Sequence, residues 1–108
     1  MLSKKNRLSR REIEELKAKK TGVLQGKFFG LVFKKQTRRK AFALIISNKV
    51  APGAVKRNRI RRLFFKAVQE GFPDKEGKFL FLAKKSCLVA DLEDFKEEMR
   101  NFGNSIMN

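Results

Sequence analysis

From Ala41 to Ile46 every residue is apolar, whereas from Ile60 to Val68 the apolar residues recur at intervals of three and four. The two patterns predict different elements. A short continuous apolar run between polar flanks predicts a buried central strand. Ile60, Leu63, Phe64, Ala67 and Val68 share one stripe of a helix, which follows the break at Ala51-Pro52-Gly53 and ends at Gly71 and Pro73. An earlier helix is predicted to start at Ser9. Ser9 and Glu12 have capping-box spacing, Leu8 and Ile13 have the spacing of a hydrophobic staple, and Ile13 and Leu16 share a face. Gly22 is read as the end of that region. Phe28–Phe33 alternates as a strand with two largely apolar faces, and Lys34–Lys40 reads as a polar, basic turn. Together with 41–46 this suggests an antiparallel hairpin. Lys78–Lys84 is a further strand candidate, with Phe79, Phe81 and Ala83 alternating with Leu80 and Leu82. Asp91 is placed to cap a last helix whose Leu92, Phe95, Met99, Phe102 and Ile106 are spaced 3-4-3-4. The predicted order is α-β-β-α-β-α, an α+β fold with helices packed on a small sheet. Residues 1–108 are read as a single domain, since no repeat, linker or low-complexity tract interrupts them.

Charge changes this picture most. The chain carries 27 Lys+Arg against 11 Asp+Glu, a formal +16. Residues 16–69 hold 16 basic side chains and no acidic one, while residues 70–108 hold 6 basic and 8 acidic. Such a field repels itself and calls for a polyanionic partner. Nucleic acid fits best. A membrane surface fits less well, because no long amphipathic helix with a bulky apolar face accompanies the charge. No apolar run reaches membrane-spanning length and no secretory pattern is visible near residue 1, so a cytoplasmic location and no membrane partner are expected. The single cysteine, Cys87, excludes a disulfide framework and a multi-cysteine metal site.

The charge is densest at Lys56-Arg57-Asn58-Arg59-Ile60-Arg61-Arg62, five cations in seven residues. Arginine binds phosphate in a bidentate fork and stays charged at any relevant pH. Arg57 and Arg61 lie one helical turn apart, as do Asn58 and Arg62, so their heads form rows along one surface. Asn58 both donates and accepts, and so can meet a base edge, a 2′-hydroxyl or a metal-bound water. A short basic run alone is commonly a solvated helix face. The acid-free surroundings argue for a binding surface, since an ordinary solvated face mixes signs. Lys34, Lys35, Arg38, Arg39 and Lys40 are read as a basic loop able to touch RNA non-specifically. Most of the phenylalanines are read as core, with one or two able to stack on bases.

The segment Ala54-Val55-Lys56-Arg57-Asn58-Arg59-Ile60-Arg61-Arg62 resembles the Arg-Asn-Arg motif of the bacterial ribonuclease P protein subunit. Asn6-Arg7-Leu8, Ser47-Asn48-Lys49-Val50 and Phe81-Leu82-Ala83-Lys84-Lys85 resemble its flanking segments, so the likeness spans essentially the whole chain. The resemblance implies a fold shared with a domain of a small-subunit ribosomal protein. In it the motif helix joins two parallel strands by a left-handed crossover, against the usual right-handed rule. It implies that the protein binds the catalytic RNA and the 5′ leader of precursor tRNA, with no further protein partner required. The expected RNA-binding residues are Lys49, Lys56, Arg57, Asn58, Arg59, Arg61, Arg62 and Lys66. The leader is expected in a cleft between the first helix and the sheet, near Arg7, Arg10, Arg11, Ile13, Phe29, Phe33 and Lys84. Three positions depart from the family pattern: Ile13 and Val32 stand where aromatics are common, and Phe65 where a basic residue is.

No histidine is present, which removes the usual general base. The carboxylates after residue 90 are read as a solvated face, Glu93, Asp94, Glu97 and Glu98, pairing with Lys96 and Arg100. Catalysis by protein groups is therefore not expected. The resemblance implies that the RNA subunit holds the Mg²⁺ ions and the protein alone binds none. A small ribosomal or RNA-packaging protein is the alternative, and a protein-only nuclease a third.

Overall fold

The structure is a computed structural model, and it describes residues 7–19, 22–35, 40–72 and 76–106. The chain runs α1 (Arg10–Ala18), β1 (Gly22–Gln25), β2 (Phe29–Lys34), β3 (Lys40–Ile45), α2 (Ala54–Gly71), β4 (Gly77–Ala83) and α3 (Leu92–Ile106), with a 3-10 turn at Lys85–Val89. The α+β class stands, but the order gains a strand. β1 follows α1 where Gly22 was read only as a terminator. Its four residues alternate half-buried and exposed, too short a run to register as a period. Gly22 is required there: a Cβ would lie 2.4 Å from the Phe33 ring, which packs across it from β2.

The expected hairpin between β2 and β3 does not form. The sheet order is β1-β2-β4-β3, so β4 enters between them. β4 pairs antiparallel with β2 and parallel with β3. The apolar run 41–46 is therefore an edge strand rather than the central one, and Ala43, Leu44 and Ile45 are only half-buried. The central strand is β4, whose Phe79, Leu80 and Phe81 are fully buried. Because β3 and β4 are parallel neighbours, the chain between them must cross the sheet, and α2 is that crossover.

The sheet separates two cores. On one face Phe33, Phe42, Phe79 and Phe81 meet Ile60, Phe64, Ala67 and Val68 of α2 and Phe95, Met99 and Phe102 of α3. All eleven phenylalanines belong to this cluster. Most of their ring contacts are edge-on or tilted, at centroid distances such as 4.9 Å for Phe29–Phe95 and 5.0 Å for Phe64–Phe81, while Phe42 and Phe79 stack at 5.4 Å. On the other face Leu8 and Leu16 cover Val32, Ala41 and Leu80. The first helix has the predicted capping box: the Ser9 side chain accepts from the Glu12 N–H, and Glu12 accepts from the Ser9 N–H at 3.0 Å. It is fixed to the sheet by the Leu8 N–H donating to the Phe42 carbonyl at 3.0 Å and by a largely buried Lys78–Glu12 ion pair at 3.2 Å. Asp91 caps α3 as predicted, exchanging N–H bonds with Asp94 at 3.0 Å each way.

One expectation about α3 is corrected. Glu98 does not lie on a solvated face: it is 7% exposed. Its carboxylate accepts the backbone N–H groups of Lys27, Phe28 and Phe29, at 2.8 Å for Phe29. Helical spacing from Phe95, Met99 and Phe102 puts Glu98 on the apolar side, and the turn before β2 supplies donors that offset its burial. Lys96 pairs with Glu93 at 3.6 Å, as expected, and also with Glu70 at 3.8 Å.

Candidate nucleic-acid interface

Gly53, at φ +99°, turns the chain into α2. A Cβ there would meet nothing within 4 Å, so glycine is needed for its backbone conformation rather than for space. The apolar stripe Ile60, Phe64, Ala67 and Val68 is buried as predicted, which fixes the rotation of α2 and turns its basic residues outward. Leu63, counted in that stripe, lies at its margin and is half-buried.

The five cations of the motif do different work. The Arg57 guanidinium folds back and donates to Asn48 Oδ1 at 2.9 Å and to the Ala51 carbonyl at 3.1 Å, tying the preceding loop to the helix. Arg59 donates to the Ala90 carbonyl at 2.9 Å, joining α2 to the segment before α3. Both are half-buried, so part of their hydrogen-bonding capacity goes to the fold. Lys56, Arg61, Arg62 and Lys66 are exposed, as is Lys49 in the loop leading into the helix. Asn58 is also exposed, and its Oδ1 lies 3.5 Å from Arg61 Nη1. Among the described residues, no ion pair joins an α2 cation to a carboxylate of α3.

A groove of about 640 Å³ runs along this face, lined by Asn58, Arg61, Arg62, Phe65, Lys66, Gln69 and Glu70. Phe65 and Gln69 were not among the expected site residues. Their signal was nonetheless in the spacing: 58, 61/62, 65/66 and 69 repeat at three and four, the same period as the buried stripe but on the opposite side. Cations at that period masked it as a solvated face.

The residues expected at the leader do not all come together. Arg7, Arg10 and Arg11 are exposed at and beside the start of α1, with Arg10 3.8 Å from Glu14. Ile13 packs on the α1 side of the sheet. Two expectations are corrected. Phe29 has no exposed surface, being enclosed by Phe64, Phe81 and Phe95, and Phe33 packs into the core on the opposite face from α1. The cause is the two-residue period of a strand: Phe29 and Phe33 share a face with Leu31, which is core. Lys84 is half-buried, with Nζ donating to the Gly26 carbonyl at 2.7 Å. The sheet surface beyond α1 is instead aliphatic, with Ala43, Ile45 and Leu82 half-buried there. Arg38 and Arg39 of the basic loop lie outside the described residues.

Cys87 is buried, and its Sγ–H donates to the Phe28 carbonyl at 3.0 Å. Burial pushes its thiol up to about 11, with a small further push from Glu98 against a lowering hydrogen bond from Lys84. It is a structural thiol rather than a nucleophile. Among the described residues no group of three or more His, Cys, Asp or Glu is placed to hold a metal ion. Among the described residues no helix is long and apolar enough to cross a membrane.

This architecture has known counterparts. A ribonuclease P protein from Thermotoga maritima superposes with a TM-score of 0.80 at 19% identity, covering 94% of this chain and 98% of its own. One from Staphylococcus aureus does so with a TM-score of 0.75 at 13% identity, covering 95% and 98%. At these identities the likeness shows a shared fold. The comparison with curated protein sequences finds no significant match. The family model described as Ribonuclease P, however, matches residues 2–106. With nearly the whole chain matched, and the basic motif helix crossing between parallel strands as the family resemblance implied, this chain belongs to the ribonuclease P protein family.

Proposed function

We propose that this chain is the protein subunit of a bacterial-type ribonuclease P. It would bind the catalytic RNA through the outer face of α2 and assist removal of the 5′ leader from precursor tRNA. The observation that carries the reading, beside family membership, is a row of exposed cations on α2 that, among the described residues, form no ion pair with a carboxylate. Two RNAs brought together repel, and a fixed array of positive charge offsets that repulsion.

The protein's part is electrostatic and positional. The chain has no histidine to serve as the usual general base, and in this reading the catalytic ions belong to the RNA subunit. Those ions would activate water and stabilise charge on the scissile phosphate. The leader is assigned to the α1 side of the sheet. There Arg7, Arg10 and Arg11 supply charge, and Ala43, Ile45 and Leu82 supply an aliphatic floor. No phenylalanine faces that side, so the leader would be held there through its backbone more than by base stacking. The cytoplasm is the proposed location.

The test is leader removal by a bacterial ribonuclease P RNA at low Mg²⁺, with and without the protein. Stimulation is expected, together with tighter binding of leader-bearing tRNA than of mature tRNA. Absence of both would leave a general RNA-packaging protein.

A further inference from the structure

All eleven phenylalanines join one core, and among them only Phe33 and Phe65 are not classed with its buried members. Phe33 spends its ring on covering Gly22. Phe65 rests its edge on Phe64, with centroids 5.2 Å apart, and turns toward the groove along the outside of α2. A half-buried apolar ring thus lines the groove beside three cations, two amides and Glu70.

We propose that this groove holds one unpaired nucleobase of a single-stranded RNA segment, stacked on Phe65, with the flanking phosphates on Arg61, Arg62 and Lys66. This deepens the reading of α2 as the RNA-facing helix and rests on it. Phosphates alone account for the cations but leave the ring against water. An aliphatic peptide would cover the ring but would desolvate three cations with no anion to meet them. A nucleotide does both, because every base has a π-face and every linkage a charge. The register agrees. Arg61 and Gln69 each lie four residues from Phe65, so a guanidinium and an amide flank the ring along the helix axis. Arg62 and Lys66 form the parallel cationic row. The amides of Asn58 and Gln69 can each donate and accept at a base edge. Glu70, an acid that also lines the groove, is engaged by Lys96 at 3.8 Å, which weakens its repulsion of the strand.

The experiment compares two single strands of equal charge, a 12-mer oligouridylate and a fully abasic 12-mer of the same backbone, by fluorescence anisotropy. Wild-type protein should bind the base-bearing strand about 5- to 150-fold more tightly, the range for stacking one base on an aromatic side chain. Phe65→Leu should bring that ratio close to one and leave the salt slope unchanged. Phe65→Tyr should keep the ratio. Arg61→Ala should reduce the salt slope and keep the ratio. Equal wild-type binding of the two strands would overturn the inference without any variant. So would a ratio that persists in Phe65→Leu, which would place the bases elsewhere. Leader removal by the catalytic RNA is followed with the same wild-type preparation. Stimulation without base discrimination refutes the Phe65 groove alone, whereas no stimulation refutes the functional reading beneath it.

Discussion

The carboxylate of Glu98 and the amide of Phe28, 70 residues apart in sequence, meet in the interior, with both carboxylate oxygens 3.0 Å from the Phe28 nitrogen. Glu98 closes the turn between β1 and β2 by taking three successive N–H groups that the sheet does not use. Replacing it with alanine strands those donors next to apolar surface. Glu98→Ala should cost about 2–4 kcal/mol, and Glu98→Gln, which keeps one acceptor oxygen, less. Urea denaturation measures both, and equal stability of the alanine variant and wild type would contradict the clasp.

Arg57 and Arg61 sit one turn apart and should nonetheless behave differently. Arg61→Ala should lower affinity for single-stranded RNA and reduce the log–log salt slope by about 0.7, with the melting temperature unchanged. Arg57→Ala should in addition destabilise the fold by about 1–2 kcal/mol, since it frees the loop at Asn48 and Ala51. Thermal melts beside salt titrations of binding separate the two effects.

With Lys49, Lys56, Arg61, Arg62 and Lys66 as the exposed contacts, about five phosphates would be met. Affinity should then fall roughly a hundredfold between 50 and 200 mM salt. A flat response would remove the electrostatic basis of binding.

Packing on α2 also separates neighbours. Phe64 has no exposed surface, and Phe64→Ala should cost about 3–5 kcal/mol. Leu63 is half-buried, and Leu63→Ala should cost about 1–2 kcal/mol, less than a core position would. A larger loss at Leu63 than at Phe64 would show that α2 is rotated from the orientation described.

Cys87 supplies a pH dependence. Its proton is held more tightly in the folded chain, about 11 against an ordinary 9.0. The native state therefore binds more protons than the unfolded state between those values. The stabilisation is whole below about pH 9 and is lost as pH rises toward 11, about 3 kcal/mol in all. Urea denaturation of wild type and Cys87→Ala across that range should show a steeper loss in wild type, the difference being the thiol's contribution, since lysines titrate in the same window in both. Alkylation of native Cys87 at pH 8 should be far slower than that of an unfolded thiol.

What the residues alone determined was local or cumulative. The capping boxes at Ser9 and Asp91, the stripe of α2, the alternation of β4 and the charge asymmetry all follow from near neighbours in sequence. A helix period or an N-cap does not depend on the rest of the chain. The motif helix and its exposed cations were legible for that reason. What only the tertiary structure decided was which elements meet. Two consecutive strands read as a hairpin until β4 inserts between them, because strand order depends on burying both faces of the sheet rather than on adjacency in the chain. Glu98 reads as surface until the turn at Lys27–Phe29 brings it donors from 70 residues away. Phe29 and Phe65 have the same side chain. The strand's alternation buries one, while the rotation of α2, set by Ile60 and Phe64 on the far side, leaves the other half-buried and lining a groove rich in cations.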